Sequence, residues 1–484
     1  MNARSLAWAL GASLVASGIP ITASGILGYA SAPGRGPLLL IFLGASYIST
    51  GLILYKSFYT RINYSEAVAL TVAIWILTPV FGTLPFRALL GIPLLDSLFE
   101  SVSAWTTTGL TIFSGEPSSS GGVYVPDVSS LPVEVKWLRT LVQWEGGLGI
   151  VIFTIAVLAP PGISVATLYL AEGKFERIEA SLKRSAMLMG VIYVILTMVS
   201  VLLFILAGMP LVDAIHHAMT GVATAGFSTH TESLGYYHTT PILLAGMIVV
   251  MLGAISYNDH YNILRLRLSR LRDSIELQAQ LVIILAASTL GAIMWMEDPR
   301  LHSSMRPIDV VFNIVSASAT AGFQSIDLSV TTPSYKMLLA VLSLVGGSAF
   351  STAGGIKVLR ILVAWKSITI EASKATHPTG YIPRKRLGRY MVNEDLALKT
   401  LATIAAIIGT YTILVLSTII LDPGIRLEDA TLEIASAMGN VGISSGITGA
   451  ATLSSVKAIL IAAMLLGRLE VLAYIVALKS ILRH

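Results

Sequence analysis

Long apolar segments recur from one end of this sequence to the other, and they leave no polar stretch long enough for a soluble domain. A helix that crosses a bilayer needs about 20 mostly apolar residues. Charged residues make up 12% of the chain, whereas about 25% is usual in a soluble domain. The sequence therefore predicts an all-α membrane protein with ten transmembrane spans, near residues 6–31, 37–55, 65–86, 137–159, 185–208, 240–258, 277–296, 336–365, 396–421 and 455–478.

The basic residues are distributed unevenly between the connections. Most of the 32 Lys and Arg residues fall in alternate connections, on the side that includes the N-terminus. Cytoplasmic connections are enriched in Lys and Arg, so the N-terminus is expected in the cytoplasm. The net charge of +5 mostly reflects this bias and does not indicate nucleic acid binding. The chain has no cysteine, which excludes disulfides, thiolate metal sites and cysteine nucleophiles.

Four shorter apolar pieces between the spans resemble one another without gaps. They read LLDSLFESVSAWTTTGLT, LVDAIHHAMTGVATAGFS, PIDVVFNIVSASATAGFQ and LEDATLEIASAMGNVGIS. Aligned on one glycine (Gly109, Gly226, Gly322 and Gly442), they share an acid thirteen positions earlier (Asp96, Asp213, Asp309 and Asp429) and a hydroxyl six positions earlier (Ser103, Thr220, Ser316 and Ser436). A single copy would be read as an ordinary loop, but four copies, each between two spans, favour a pore.

Each shared position has a physical interpretation. A piece of about 12 residues cannot span a bilayer, so a re-entrant helix is predicted. The acid in its first turn suits the positive end of the helix dipole and accepts from unpaired N–H groups. The glycine is expected to end the helix, because it tolerates positive φ. The non-helical strand that follows is tolerated at membrane depth where it lines a wet cavity. Four such strands around one axis would present rings of carbonyl oxygens, the arrangement that replaces the hydration shell of K⁺.

The predicted ion-binding residues are the three at the turn of each copy, which would bind K⁺ through backbone carbonyls. They are Thr107, Thr108, Gly109, Thr224, Ala225, Gly226, Thr320, Ala321, Gly322, Asn440, Val441 and Gly442. No transition-metal site is predicted. His216 and His217 lie in the second short piece, but zinc wants more ligands nearby, so packing or solvent contact is the better interpretation.

Motifs of enzyme chemistry are missing from the sequence. It contains no GxxxxGK[ST] loop, no HExxH and no nucleophile elbow. The chain is therefore not expected to be an enzyme or to bind an organic cofactor.

The repeated span–loop–span unit resembles the Trk/Ktr/HKT superfamily of K⁺ transporters. Three further stretches are similar to signatures of that family: QWEGGLGIVIF at 143–153, GGSAFSTAGGIKVLR at 346–360 and LLGRLEVLAYIVAL at 465–478. The additional hairpin at 6–55 is similar to the TrkH branch rather than the shorter KtrB branch. The resemblance implies five units: an N-terminal hairpin (1–62) and four pore repeats (63–174, 175–272, 273–390 and 391–484).

The resemblance also implies roles for particular residues. The four glycines match the filter glycines, and glycine rather than serine at the first position favours K⁺ over Na⁺. The fourth strand, NVGIS, departs from the threonine pattern, so the ion sites are not expected to be equivalent. The segment within 336–365 implies an intramembrane gate beneath the filter, together with an arginine in the pore wall: Gly346, Gly347, Ser348, Ala349, Phe350, Ser351, Thr352, Ala353, Gly354, Gly355 and Arg468.

Several alternatives remain open at this point. The glycine-rich segment is also compatible with a helix-packing face, Phe350 with a pore constriction or with sideways packing, and Arg468 with a structural salt bridge. Glu470 is an unfavourable partner for Arg468, since residues two apart on a helix do not face each other. Glu145 and Asp259 are expected to be buried, each able to pair with a neighbouring helix, and coupling of transport to H⁺ or Na⁺ is undecided.

The resemblance implies a homodimer with one pore per subunit, in a prokaryotic cell membrane and in contact with membrane lipid. It further implies a cytosolic ring of TrkA-type regulatory subunits, which would bind the nucleotide that this chain does not. The expected function is K⁺ uptake, with Rb⁺ and, more weakly, Na⁺ as further candidate ions. The alternatives are a poorly selective or Na⁺-conducting pore and a non-conducting scaffold or receptor.

Overall fold

The computed structural model describes residues 3–57, 64–149, 181–378 and 385–482, together with the single residues 178 and 383. The chain begins with two helices, α1 (Ala3–Ser31) and α2 (Arg35–Ser57), which pack tightly against each other. Three glycines of α1, seven positions apart, make this contact. A side chain at Gly11 would meet the backbone of Gly51, and one at Gly18 would meet that of Gly44. Small residues allow membrane helices to approach at backbone distance.

The rest of the chain is a fourfold succession of a long helix, a short helix and a second helix. In the first repeat these are α3 (Tyr64–Leu90), α4 (Leu94–Trp105) and α5 (Val133–Leu148), and in the second α6 (Leu182–Leu206), α7 (Leu211–Val222) and α8 (Thr240–Ala254). In the third they are α10 (Ile275–Glu297), α12 (Pro307–Ser318) and α13 (Pro333–Val345), and in the fourth α15 (Glu394–Leu421), α16 (Leu427–Gly439) and α17 (Ser454–Leu482). The short helices have the length that the repeats predict.

Smaller elements connect these repeats. They are the helices α9 (Tyr257–Leu264), α11 (Pro299–Ser304) and α14 (Val358–Thr376), and the 3₁₀ turns Ser233–Tyr237, Leu268–Asp273 and Leu328–Val330. Two antiparallel hairpins pair β1 (Ser114–Pro117) with β2 (Tyr124–Asp127) and β3 (Arg386–Leu387) with β4 (Tyr390–Met391). In the first hairpin Ser114 lies opposite Asp127.

Among the described residues, seven helices are long and apolar enough to cross a membrane, and the bent pair α8 and α9 makes an eighth if it counts as one span. Two of the ten predicted spans differ in form. The segment 336–365 is broken into α13, a loop and α14, as its glycines predict. The segment 240–258 ends at a bend of 106° between α8 and α9. The predicted span 137–159 begins in α5, and its residues from 150 onwards lie outside the described residues.

The repeats are arranged in a closed cycle. The second helix of each repeat packs on the short helix of the next: α5 on α7, α8 on α12, and α13 on α16. The last helix, α17, closes the cycle by packing on α3 and α4 of the first repeat. The four short helices therefore surround a common centre.

Candidate functional site: a ring of four strands

The chain turns sharply after each short helix. The residue two positions before each aligned glycine has positive φ: Thr107 at 57°, Thr224 at 49°, Thr320 at 52° and Asn440 at 51°. This conformation is uncommon for a β-branched residue and accumulates at functional sites. The helices end at Trp105, Val222, Ser318 and Gly439. The expectation that the glycine ends the helix was therefore wrong, since the Thr or Asn makes the turn and the glycine lies in the strand.

The strands that follow the four turns meet at Gly109, Gly226, Gly322 and Gly442 and form a closed ring. A Cβ atom on Gly226 would lie 2.5 Å from the carbonyl oxygen of Ala321 in the next strand. Side chains at Gly109, Gly322 and Gly442 would overlap the carbonyl oxygens of Ala225, Val441 and Thr108, respectively. Each glycine thus faces the carbonyl that precedes the glycine of the next strand, and the fourth strand returns to the first. All four glycines have positive φ, from 73° at Gly322 to 100° at Gly442.

The hydroxyl six positions before each glycine anchors the strand to its own helix. Thr220 Oγ1 donates to the carbonyl of Phe227 at 2.8 Å, and Ser316 Oγ donates to that of Phe323 at 2.7 Å. Ser103 makes the equivalent bond to Leu110 at 2.5 Å. The fourth repeat differs, because Ser436 Oγ accepts from the Gly442 N–H at 2.9 Å. The shared hydroxyl therefore fixes the distance between the end of each helix and the ring.

A second set of anchors lies nine positions before each glycine and was missed from the sequence. All four residues are buried and polar, and each binds the strand beyond the glycine. The bonds are Thr111 Oγ1 to Glu100 (2.9 Å), His217 Nε2 to Ser228 Oγ (2.9 Å), Asn313 Nδ2 to Ser325 Oγ (3.1 Å) and Ser445 N to Glu433 (2.8 Å). This offset is polar in all four copies, but the residue type varies between Glu, His and Asn, so a search for an identical residue does not find it.

One of these anchors is part of a buried ion pair. Arg139 Nε lies 2.7 Å from Glu100 Oε1, with side chains that are 2% and 0% exposed. Arg139 also donates to the carbonyl of Ser228 at 3.0 Å, and its guanidinium lies 3.9 Å from the centre of the Phe227 ring. Glu100 binds the first strand and Arg139 binds Ser228 of the second, so the ion pair between Glu100 and Arg139 joins two neighbouring strands.

The acids in the first turns of the short helices pair mainly with side chains. Asp309 does accept from a backbone N–H, that of Arg306, at 3.0 Å. Lys457 Nζ lies 2.5 Å from Asp96, and Lys336 Nζ lies 2.6 Å from Asp429. In the second repeat Asp213 accepts from Thr229 and Tyr237, each at 2.8 Å. Among the described contacts, the expected hydrogen bond from a backbone N–H is found at Asp309, whereas the other three acids accept from side chains.

The lysines that bind these acids occupy an equivalent position in the second helix of their repeats. Lys336 and Lys457 each donate to the carbonyl seven residues earlier, at 2.9 Å and 2.7 Å. Lys136 does the same in the first repeat, at 2.8 Å. Since Lys336 binds the fourth repeat and Lys457 binds the first, these fully buried lysines connect successive repeats.

The glycine-rich segment forms a loop between α13 and α14. Gly346 and Gly355 have φ of 74° and 76°, and the chain returns so that the Ile356 N–H donates to Leu344 at 2.8 Å. Glu276 accepts from the Ala349 N–H at 2.6 Å. The loop is therefore folded back on itself and is not a continuous helix.

The loop also binds the residues at the turns of two strands. Thr352 Oγ1 donates to the carbonyl of Gly253 at 2.8 Å and lies 3.3 Å from Thr224 Oγ1. The Gly354 N–H donates to Thr320 Oγ1 at 2.8 Å. Phe350 is 1% exposed, and its ring packs edge-on against Tyr257.

Arg468 binds Thr107, the turn residue of the first strand. Its Nη1 atom lies 2.9 Å from Thr107 Oγ1, and its Nη2 atom lies 2.5 Å from the carbonyl of Gly146. Its guanidinium lies 4.8 Å from the centre of the Trp75 ring. A cavity of about 60 Å³ between the loop and α17 is lined by Gly354, Asn440 and Arg468, among others. Arg468 and the loop therefore border one space.

Glu470 pairs with another basic residue. Arg360 Nη1 lies 2.7 Å from Glu470 Oε1, and Glu470 has a φ of 66° that breaks α17. Of the other acids, Asp259 accepts from Ser274 Oγ at 2.7 Å. Glu145 is 4% exposed, and its Oε1 atom has no hydrogen-bond partner among the described residues. His216 binds Thr140 Oγ1 at 2.6 Å and lies against Trp137, which agrees with a packing role.

Comparison with known proteins assigns the family. The family model for TrkH, described as a cation transport protein, matches residues 43–296 and 294–483. The chain belongs to the TrkH family. This is a family of transporters and not of enzymes.

Several relatives are similar to this chain over most of their own length. A Trk system potassium uptake protein TrkH of Halomonas elongata is 28% identical over 461 residues, 92% of each chain. The TrkH protein of Escherichia coli K12 is 30% identical over 429 residues, 85% of this chain and 84% of that protein. An uncharacterized cation transporter of Methanocaldococcus jannaschii is 28% identical over 408 residues, 84% of this chain and 81% of its own.

A solved structure shares the fold of this TrkH family member. The crystal structure of the potassium transporter TrkH from Vibrio parahaemolyticus aligns with a TM-score of 0.83 and covers 99% of both chains, at 23% sequence identity. The all-α membrane fold predicted from the sequence is thereby confirmed.

Proposed function

We propose that this protein takes up K⁺ by conducting it through the ring of four strands. The single observation that carries the proposal is the closed cycle in which each of the four aligned glycines faces the carbonyl of the next strand. Rings of carbonyl oxygens replace the hydration shell of a desolvated K⁺ ion. The proposal is also supported by relatives that are named potassium uptake proteins.

The filter residues would be Thr107 to Gly109, Thr224 to Gly226, Thr320 to Gly322 and Asn440 to Gly442. A side chain at any of the glycines would overlap a carbonyl of the neighbouring strand. The fourth strand differs in its turn, because Asn440 Nδ2 donates to Thr108 Oγ1 and to the carbonyl of Met464, both at 2.9 Å. We expect the ion sites to be unequal for this reason.

The loop from Gly346 to Gly355, together with Arg468, is proposed as the gate. The support is that Thr352, Gly354 and Arg468 bind turn residues of three strands. An ion that leaves the ring would meet this loop and a fixed positive charge. Conduction therefore requires the loop to move and its hydrogen bonds to be exchanged.

For the topology, the oligomeric state and the regulatory partner, we propose what the sequence implies. The N-terminus lies in the cytoplasm of a prokaryotic cell, two copies form a homodimer, and a cytosolic TrkA-type ring that binds the nucleotide controls the gate. The relatives named as Trk system proteins support a multi-component system. The four pore repeats and the hairpin remain the proposed units of the chain.

The proposal is tested by ion flux into liposomes that contain the purified protein, with a K⁺ gradient and then with a Na⁺ gradient. We expect K⁺ flux well above Na⁺ flux, and we expect the ratio to collapse in Gly442→Ser. Gly208→Ser is the matched control, because Gly208 also has positive φ, 95°, but has open space around it. Its ratio should equal that of the wild type.

The alternatives give different outcomes in the same experiment. Equal K⁺ and Na⁺ flux retains the pore and removes its selectivity, which is the poorly selective or Na⁺-conducting alternative. Absence of flux for either ion, even after addition of a cytosolic regulatory ring, indicates a scaffold or receptor.

A further inference from the structure

A buried amide from α5 binds one strand of the ring across its glycine. The side chain of Gln143 is 0% exposed. Its Nε2 atom donates to the carbonyl of Ala225 at 3.0 Å, and its Oε1 atom accepts from the N–H of Phe227 at 3.1 Å. A carbonyl needs a donor and an N–H needs an acceptor, so these two bonds fix the orientation of the amide.

The carbonyl that Gln143 binds belongs to the ring. It is the oxygen that faces Gly109 of the neighbouring strand. Gln143 itself comes from the first repeat, whereas Ala225 comes from the second. An amide from the first repeat thus holds the strand of the second repeat.

The other repeats have no amide at the equivalent position of the second helix. The second helices can be aligned on Gly146, Gly253, Gly346 and Gly467. A side chain at three of these glycines would overlap the carbonyl four residues before a ring glycine, at Trp105, Val222 and Met438. Three positions earlier stand Gln143, Val250, Ser343 and Met464. The fourfold pattern is therefore broken at this position in the first repeat.

We propose that Gln143 is a positioning residue that sets the discrimination between K⁺ and Na⁺ by restraining the Ala225 carbonyl. The inference rests on the proposed function of the ring. A carbonyl already bound by an N–H is held in place and cannot follow a smaller ion inward. The hydrogen bond also weakens the electric field that this carbonyl oxygen exerts on the ion. A rigid site and a weak field both favour the larger K⁺ ion.

The test measures the K⁺/Na⁺ flux ratio in liposomes for Gln143→Glu and Gln143→Leu. The glutamate keeps the size of the side chain and an acceptor for Phe227, and in its ionised form it no longer donates to Ala225. Leucine removes both bonds. We expect the ratio to fall about fivefold in each variant, the factor that corresponds to the loss of one ordinary hydrogen bond. Ser343→Ala is the matched control at the equivalent position, since Ser343 Oγ has no partner among the described residues, and its ratio should not change.

The outcomes separate this inference from the proposed function. A wild-type protein that conducts no K⁺ overturns both. A selective wild type whose two Gln143 variants keep their ratio within twofold overturns the inference alone. If Gln143→Leu does not yield folded protein, Gln143→Glu decides, together with the melting temperature of that variant in K⁺ and in Na⁺. In the wild type, K⁺ should raise the melting temperature more than Na⁺ does. In Gln143→Glu this difference between the two ions should be smaller.

Discussion

The guanidinium of Arg468 lies 2.9 Å from the hydroxyl of Thr107, so that the last helix of the chain binds the first strand of the ring, 361 positions earlier. Gly146 supplies a second acceptor for the same guanidinium, at 2.5 Å. Both bonds are made by a charged group, and bonds of this kind contribute about 1.5–3 kcal/mol each. The arginine is therefore suited to stabilise one arrangement of the pore.

We expect Arg468→Ala to increase K⁺ flux without a regulatory partner. Loss of about 1.5 kcal/mol of closed-state stabilisation would raise the open fraction roughly tenfold. Flux into liposomes without added regulatory subunits measures this effect. Arg300→Ala, an exposed arginine between α10 and α12, is the control. Unchanged conduction and unchanged gating in Arg468→Ala would remove the gate role of this residue.

Thr352 provides a test of the loop. Thr352→Val keeps the shape of the side chain but loses the bonds to Val222 and Gly253, at 3.0 Å and 2.8 Å. A net loss of about 1–2 kcal/mol is expected for two neutral bonds, with a corresponding rise in flux through the unactivated protein. Thr352→Ser retains a hydroxyl and should behave as the wild type. Equal flux in the valine and serine variants would contradict the prediction.

The buried pair Glu100 and Arg139 predicts a stability effect that does not depend on flux. Glu100→Gln leaves Arg139 as a buried charge without its carboxylate, which should reduce the free energy of unfolding by about 3–5 kcal/mol. The double variant Glu100→Gln, Arg139→Met removes the charge and should recover part of that loss. Thermal unfolding in detergent measures both. A double variant that is less stable than Glu100→Gln alone would count against this account of the pair.

The contact between Lys457 and Asp96 holds the fourth repeat to the first. Lys457→Met should leave Asp96 as a buried carboxylate without its cation and lower the free energy of unfolding by about 3–5 kcal/mol. Lys136 occupies the equivalent position in the first repeat and is partly exposed. Lys136→Met should therefore change stability by less than about 1 kcal/mol. Similar melting temperatures for the two variants would show that the position does not depend on its buried acid.

The sequence predicts those parts of the site in which residue type repeats. The four glycines, the hydroxyls six positions earlier and the break at Gly346 all follow from local chemistry, and the structure gives each a defined contact. The anchors nine positions before each glycine escaped prediction, because Glu100, His217, Asn313 and Glu433 share a function but are of three residue types.

Other contacts were beyond prediction because they join distant positions. No local pattern indicates that Lys457 binds Asp96, or that Gln143 binds the second strand and not the first. Lys336 begins the predicted span 336–365, and nothing nearby in the sequence indicates that its side chain is 0% exposed and pairs with Asp429. Such pairings depend on the order of the repeats around the ring, which the packing of the helices determines.

The four boundaries between repeats are joined by three kinds of contact. Lys336 joins the third repeat to the fourth and Lys457 the fourth to the first, whereas Arg139 joins the first to the second. Between the second and the third, Arg306 binds both Asp309 and the carbonyl of His238. In a channel built from four identical subunits, one substitution alters every boundary at once. In this chain a single substitution changes one quarter of the ring, so natural selection can adjust each quadrant independently.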